Sequence, residues 1–216
     1  MSSSPSPYRR ARDARALLET GLGELGLDGS LADPLMIYLD ELQKWNAAYN
    51  LTAIRNADEM VTKHLLDSLA LLPHVGGRLL DVGAGAGLPG IPLAIANPAL
   101  DVTVLDSIGK KARFMRHAVR TLGLPNVTVV ESRVESFQAE SPFGMIISRA
   151  FASLADFFNG TEALLAPGGQ WVAMKGKLDV KELADVPARF VIRGTHRLRV
   201  PGLDEDRHAV IAGMKS

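Results

Sequence analysis

The sequence predicts an α/β fold built on a mostly parallel sheet of seven strands, with helices on both faces. From residue 76 onward, short apolar segments alternate with helical patterns, as expected for repeated β–α units with right-handed crossovers. A glycine-rich turn follows the first of these segments. The chain then ends in two apolar segments with no helical pattern between them. This ending fits a sheet that is parallel first and closes with one antiparallel strand.

Length and composition restrict the classes of protein that the chain can belong to. Its 216 residues suit one domain, and we expect a flexible tail over 1–8, packed helices over 9–75 and the core over 76–216. The absence of cysteine excludes disulfides and thiolate chemistry, and no metal site is predicted. The formal net charge of zero gives no global argument for nucleic acid. No apolar run is long enough to span a membrane, so we expect a cytoplasmic protein.

Three helices are expected before the first strand. Apolar spacing predicts one over 9–26, and its start carries four arginines that either solubilise the chain or contact a polyanion. The second is expected to begin at a Ser30 cap, with Pro34 in its first turn, and to end at Tyr49. The third is expected to begin at Asn56 and to end at Pro73. His64 lies on its apolar side, either as a structural histidine or as a wall of a site.

The remaining elements follow in regular alternation. Strands are predicted over 79–82, 102–105, 127–130, 145–148, 170–174, 190–200 and 208–212. Helices are predicted over 88–96, 110–122, 154–165 and 180–186, and Gly123 is a suitable residue to end the second of these. The Pro-Gly-Gly sequence at 167–169 predicts a turn before the fifth strand.

The glycine turn is the strongest indication of function. The pattern Asp81-x-Gly83-x-Gly85-x-Gly87 places an acid at a strand end and bare backbone where a ligand can approach closely. This spacing is typical of enzymes that bind S-adenosylmethionine (SAM). Gly85-x-Gly87-x-x-Gly90 also matches the dinucleotide fingerprint, so NAD(P) stays an alternative, as does a tight turn without a ligand. The helix that starts after the turn should offer unpaired N–H groups.

Residues after the next two strands complete a predicted nucleoside site. Asp106 ends the second strand, where a carboxylate can accept hydrogen bonds from both ribose hydroxyls. It supports SAM and NAD equally, because both contain adenosine. Val134 and Glu135 follow the third strand, the segment that usually meets the adenine edge in SAM enzymes.

Two further segments bear on the acceptor. The fourth strand leads into Ser148-Arg149-Ala150, without the Asn/Asp-Pro-Pro-Tyr/Phe motif used to methylate exocyclic amines. An acceptor that is already nucleophilic is therefore expected, such as a ring nitrogen, an oxygen or a sulfur.

The helix after Asp106 is rich in basic residues and is either a phosphate-binding face or a solvated one. We expect RNA contacts from Lys110, Arg113, Arg116 and Lys175.

Seven ordered motifs together resemble the bacterial small-subunit ribosomal RNA methyltransferases of the RsmG family, also called GidB. They are Tyr49-Asn-Leu-Thr52, His64-Leu-Leu-Asp-Ser68, the glycine segment from Asp81 to Leu93, Ser132-Arg-Val-Glu135, Ser148-Arg-Ala150, Lys175-Gly176 and Arg207-His208. The resemblance implies a Rossmann-like class I SAM-dependent methyltransferase fold and guanine-N7 methylation of 16S rRNA, as naked RNA or in the small ribosomal subunit.

The same resemblance implies a set of contacts with SAM, whose product would be S-adenosylhomocysteine. The contacts fall on Gly83, Leu88, Val134, Glu135 and Arg149, to which the turn and the strand end add Gly85 and Asp106. No catalytic residue is predicted. The protein is expected to act as a monomer.

Overall fold

A seven-stranded sheet forms the centre of the fold in the computed structural model, which describes residues 7–149 and 151–215, with side chains from Asp13 onward. The strands are β1 (Arg78–Val82), β2 (Asp101–Asp106), β3 (Val127–Glu131), β4 (Phe143–Ser148), β5 (Leu165–Lys175), β6 (Phe190–Arg197) and β7 (His208–Met214). Their order across the sheet is β3-β2-β1-β4-β5-β7-β6. β7 pairs antiparallel with β5 and β6, whereas the pairs among β1 to β5 are parallel. The predicted mostly parallel sheet with an antiparallel last strand is confirmed.

Helices cover both faces of this sheet. They are α1 (Pro7–Glu24), α2 (Ala32–Tyr49), α3 (Ala57–Met60), α4 (Asp67–Leu69), α5 (Gly90–Ala96), α6 (Gly109–Leu122), α7 (Leu154–Thr161) and α8 (Val180–Ala184). Successive strand residues point to opposite faces, so Leu79 joins the larger core with the N-terminal helices, and Leu80 joins the smaller core with α7. Apolar residues therefore fill both faces of β1, as expected for a strand buried on both sides.

The N-terminal helices hold the glycine turn as well as covering the sheet. Tyr38 of α2 is fully buried, and burial raises the pKa of its hydroxyl. The hydroxyl donates a 2.7 Å hydrogen bond to the backbone oxygen of Ala86, within the glycine turn. The Tyr38 ring also packs against Phe114 of α6, with 6.0 Å between ring centroids. The helices before β1 thus fix the position of the turn.

Several predicted boundaries near the N-terminus need correction. The expected tail over 1–8 overlaps α1, which begins at Pro7, and residues 1–6 lie outside the described part of the chain. Asp28, not Ser30, provides the cap before α2: its carboxylate accepts from the Ser30 N–H and begins a short 3₁₀ turn, Gly29–Leu31. Pro34 does lie in the first turn of α2.

Three other elements differ from the sequence prediction in form. The helix that begins at the Asn56 cap is interrupted by a π-helical segment, Val61–Leu66, between α3 and α4. The Pro-Gly-Gly sequence does not precede β5 but lies within it, as a bulge where the register to β4 shifts. Gly168 has φ 75° there. The helix expected over 154–165 ends at Thr161 and continues as a 3₁₀ turn, Glu162–Leu164.

Candidate active site

The glycine turn connects the end of β1 to α5 in a conformation that requires glycine. Gly83, Gly85 and Gly87 have φ values of 71°, 63° and 89°, in the left-handed region that residues with a Cβ rarely adopt. The N–H groups of Gly83 and Ala84 donate to the Leu105 carbonyl at 2.9 and 3.0 Å. The turn is therefore tied to the end of the neighbouring strand β2, and its remaining backbone borders two recesses.

Asp106 links the glycine turn to the segment that follows β2. One carboxylate oxygen accepts from the Gly85 N–H at 2.9 Å, and the other accepts from the Ile108 N–H at 2.9 Å. The Lys111 ammonium lies 3.5 Å from the first oxygen. The residue is 6% exposed. The predicted ribose-binding carboxylate thus has a second role, because it also positions the two backbone segments that surround it.

A cavity of about 360 Å³ opens at the carboxyl ends of β2 and β3. It brings together four of the residues predicted to bind the cofactor: Gly83, Asp106, Val134 and Glu135. The prediction missed other lining residues, which are Val82, Leu105, Ser107, Ile108, Lys111, Ser132, Arg133 and Phe151. Ile108 and Phe151 give the cavity apolar walls suited to a flat ring. An apolar residue two positions after the strand-ending acid was a signal that could have identified Ile108.

A second recess, which we call the glycine-loop recess, lies over the turn itself. It contains the other three predicted cofactor residues, Gly85, Leu88 and Arg149, and shares Gly83 with the cavity. Thr52 and His64 form its opposite wall, with 3.0 Å between the Thr52 hydroxyl and His64 Nε2.

His64 fits both of its predicted roles, because it is hydrogen-bonded within the fold and also lines the recess. Burial lowers the pKa of His64 to about 4, helped by the nearby charge of Arg149. The imidazole is therefore neutral at pH 7.

A third recess, which we call the basic recess, lies at the ends of β4 and β5 and the start of β7. Its volume is about 380 Å³, and Arg149 and His64 separate it from the glycine-loop recess. Asp67 is buried between two arginines, 3.3 Å from Arg149 and 3.1 Å from Arg207. Burial raises the pKa of Asp67, and the charges of the two arginines oppose this shift. Lys175, predicted to contact RNA, lines the recess and is paired with Glu182 at 2.6 Å.

The three residues predicted for RNA contact on α6 have different surroundings. Lys110 donates to the Tyr49 carbonyl at the end of α2, at 2.7 Å. Arg116 forms a 3.1 Å ion pair with Glu131. Arg113 is exposed, and no ion pair joins it to the described part of the chain. Of the three, Arg113 thus differs in having no hydrogen bond or ion pair from its side chain to residues 7–149 and 151–215.

Asp81 is the fully buried acid of the glycine motif. One oxygen accepts from the Gly90 N–H at 2.8 Å, so this first N–H of α5 is used within the chain and not offered to a ligand, contrary to the expectation from sequence. The other oxygen has no hydrogen-bond partner among the described residues. Burial raises the pKa of Asp81 to about 7, against the hydrogen bond from Gly90.

Asp81 should therefore make stability depend on pH. A carboxyl whose pKa rises on folding, from 3.8 to about 7, binds its proton more tightly in the folded chain, so stability falls as pH rises between these values. The shift corresponds to roughly 4 kcal/mol lost by pH 8. We expect Asp81→Asn to remove this loss. About 2.6 kcal/mol of this loss falls between pH 5 and pH 8. Urea unfolding of both proteins at these two pH values measures that part, and equal pH dependence of the two would contradict the assignment.

Comparison with known proteins identifies the family. A family profile described as GidB, rRNA small subunit methyltransferase G, matches residues 32–210. The chain belongs to this family. The range that matches the GidB profile includes the glycine turn, Asp106 and the residues that line all three recesses.

Full-length relatives agree with the GidB assignment. The chain is 51% identical over 211 residues to ribosomal RNA small subunit methyltransferase G of Stenotrophomonas maltophilia, covering 97% of this chain and 98% of the relative. It is 52% identical over 204 residues to the protein of the same name from Aromatoleum aromaticum, covering 91% and 97%.

Solved structures show that this GidB chain has the Rossmann-like fold of class I methyltransferases. TrmN from Thermus thermophilus aligns with a TM-score of 0.56 at 18% identity, over 72% of this chain and 53% of TrmN. The glycopeptide N-methyltransferase MtfA, in complex with SAM, aligns with a TM-score of 0.56 at 15% identity, over 69% and 94%. None of the helices described over 7–149 and 151–215 has the length and apolarity needed to cross a membrane.

Proposed function

We propose that the cavity and the glycine-loop recess together hold SAM and that the basic recess receives a guanine of 16S rRNA. As a member of the GidB family, the chain is a SAM-dependent rRNA methyltransferase whose acceptor atom is guanine N7. The main support for this SAM site is the pair of hydrogen bonds from the Gly85 and Ile108 N–H groups to Asp106. They place a carboxylate and a bare glycine turn side by side at one edge of the sheet.

The chemistry of the lining residues fits SAM. Asp106 retains lone pairs for ribose hydroxyls, since each carboxylate oxygen has more than one acceptor position. Ile108, Val134 and Phe151 enclose the end of the cavity where the adenine would lie. Arg149 offers positive charge to the methionine carboxylate in the glycine-loop recess.

The remaining predicted cofactor residues also lie in the cavity or in the glycine-loop recess. Gly83 and Gly85 leave backbone exposed between the cavity and the recess, and Leu88 adds an apolar wall to the recess. Glu135 is exposed at the rim of the cavity, within reach of the exocyclic amine of adenine. The product S-adenosylhomocysteine would use the same contacts.

Positioning accounts for the catalysis that this site can provide. Bound SAM supplies a methyl carbon on a positively charged sulfonium. Guanine N7 carries a free lone pair and needs no deprotonation, so the chain needs no general base. The neutral state of His64 also suits the site, because a protonated imidazole would place a second positive charge beside the cationic sulfur. The residues of the two recesses instead align N7 with the methyl carbon, and such alignment can lower a barrier by up to ~7–11 kcal/mol.

Calorimetry and mass mapping test the proposal. The purified chain should bind SAM and S-adenosylhomocysteine, and stabilisation by NAD(P)H alone would favour an oxidoreductase instead. Mass mapping of 16S rRNA from cells lacking the gene should show one missing 7-methylguanine, restored by the purified enzyme. Binding of SAM without any methyl transfer to unmodified small subunits would favour a non-catalytic binding module. We further propose that the protein acts as a monomer in the cytoplasm.

The RNA surface can be tested at α6, where we propose phosphate contacts by Lys110, Arg113 and Arg116, with Lys175 nearer the acceptor. Arg113→Ala is the most informative change, because Arg113 is exposed and has no ion pair with the described residues. We expect weaker binding of small subunits, with a salt dependence (log K against log salt) shallower by about 0.7–0.9. Lys215→Ala, an exposed cation just after β7, is the control. An unchanged slope for Arg113→Ala would remove α6 from the interface.

A further inference from the structure

Arg149 lies between the proposed SAM site and the basic recess, and it lines both. Its side chain is 27% exposed. It follows β4 at the edge of the sheet where the carboxyl ends of the parallel strands meet. Arg149 and His64 therefore form the wall between the two recesses.

The Arg149 guanidinium is held at one nitrogen. Nη1 donates to the Lys63 carbonyl at 3.1 Å and to an Asp67 carboxylate oxygen at 3.3 Å. Within 7–149 and 151–215, Nε and Nη2 have no hydrogen-bond partner. Since a guanidinium carries five N–H groups in a rigid plane, three donors remain, and their direction is fixed by the two that are taken.

Asp67 holds the plane of the Arg149 guanidinium in position. Its second carboxylate oxygen accepts from Arg207 Nε at 3.1 Å, so it cannot rotate without breaking a second ion pair. The residue is 2% exposed, and removing one partner of a buried ion pair is costly. Asp67 is thus placed to act as a positioning residue for Arg149.

The other cations of the basic recess have fewer donors to offer. The Lys175 ammonium is paired with Glu182 at 2.6 Å and lies 3.3 Å from the Phe151 carbonyl. Arg207 is bonded to Asp67, to Glu205 and to the Asp206 carbonyl. Lys63 is paired with Glu205 and lines the basic recess but not the glycine-loop recess. Arg149 is the cation that combines spare donors with contact to both recesses.

We propose that Arg149 determines specificity by donating a hydrogen bond to O6 of the acceptor guanine, held in position by Asp67. This inference rests on the proposed function. Guanine N7 and O6 are neighbouring acceptors on the same edge of the base, so when N7 faces the methyl group, O6 faces the wall between the recesses. Adenine has an amino group in place of O6, and its hydrogens would oppose the donors of Arg149. One N–H suffices for the methionine carboxylate, which leaves two for the base.

Substituted acceptor nucleotides test this directly. Small subunits are reconstituted with ligated 16S rRNA that carries guanosine, inosine or 2-aminopurine riboside at the mapped acceptor position. Inosine keeps N7 and O6 but lacks the 2-amino group, whereas 2-aminopurine keeps N7 and the amine but lacks O6. Binding is measured without SAM. We expect wild-type protein to bind the guanosine and inosine subunits similarly and the 2-aminopurine subunits about tenfold more weakly or worse.

Variants then assign the preference to Arg149. Arg149→Met should abolish the difference between guanosine and 2-aminopurine subunits, and Asp67→Asn should reduce it while the protein stays folded. Arg189→Met is the matched control, since Arg189 also forms an ion pair, with Glu162 at 3.0 Å, but precedes β6 at the opposite edge of the sheet. It should keep the full preference.

The outcomes distinguish a failure of the role proposed for Arg149 from a failure of the proposed function. Equal binding of all three subunits by the wild type, or an unchanged preference in Arg149→Met, would overturn the role of Arg149 while methyl transfer to guanine still stands. If Arg149→Met is unfolded, the wild-type ratio and Asp67→Asn decide the matter. Absence of SAM binding and of methyl transfer in the wild type would instead contradict the proposed function.

Discussion

Replacing Gly83 with aspartate is expected to weaken SAM binding by about 100-fold or more, equivalent to ~2.7 kcal/mol. Gly83 has φ 71°, a conformation that costs a residue with a Cβ about 1–2 kcal/mol. The new carboxylate would also enter the cavity that contains Asp106. Gly83 also lines the glycine-loop recess, where a new negative charge would repel the carboxylate of the methionine moiety, so bulk and charge act in the same direction.

Calorimetric titration with S-adenosylhomocysteine measures this loss, and methyl transfer to small subunits should fall with it. Gly168→Asp is the matched control. Gly168 also has positive φ, at 75°, and a Cβ there would meet open space, but it lies in the bulge at the start of β5, away from the site. That variant should lose some stability and keep its affinity. Retained affinity in Gly83→Asp would mean that SAM binds elsewhere.

Local sequence predicted the sheet and the glycine turn because their causes are local. The residues Leu79 to Val82 form a buried strand that must turn into a helix within a few positions, and only glycine tolerates the φ values that result. Asp106 was predictable for the same reason, because it is an acid at the end of the next strand, β2. Its bonds to Gly85 and Ile108 were not predictable, because they depend on how two loops meet.

The basic recess shows where prediction from sequence failed. Asp67 meets Arg207 across 140 positions and Arg149 across 82. No periodicity or spacing brings such residues together; the order of strands in the sheet does so, by placing β4 and the start of β7 on either side of β5. The motif His64-Leu-Leu-Asp-Ser68 contains Asp67 but indicates neither of its two arginine partners.

The errors in element boundaries have a common physical origin. Ser30 has a side chain suited to an N-cap, but the Asp28 carboxylate accepts a hydrogen bond from the Ser30 N–H, and a 3₁₀ turn therefore forms before α2. In β5, Pro-Gly-Gly is a turn sequence, yet β4 and β7 hold the strand on both sides, and the turn becomes a bulge. In both cases a competing contact determined the structure, and the composition of the segment did not reveal it.

Replacing Asp106 with alanine is expected to be the other severe change, with SAM affinity again about 100-fold lower. The loss has two sources. Ribose hydroxyls lose a charged acceptor, and hydrogen bonds to charged groups contribute about 1.5–3 kcal/mol each. The N–H groups of Gly85 and Ile108 also lose their acceptor, so the turn and the segment after β2 are no longer held in register with each other.

Asp106→Asn separates these two sources. An amide keeps one oxygen and so can retain one of the two backbone bonds, but it lacks the charge, and we expect affinity for S-adenosylhomocysteine between those of the wild type and the alanine variant. Asp101→Ala is the control, because Asp101 is an exposed carboxylate at the opposite end of the same strand, 3.4 Å from Arg78. If Asp106→Ala binds S-adenosylhomocysteine as tightly as Asp101→Ala, binding requires neither the ribose contact nor the loop register that this carboxylate provides, and the ribose must be held by another group.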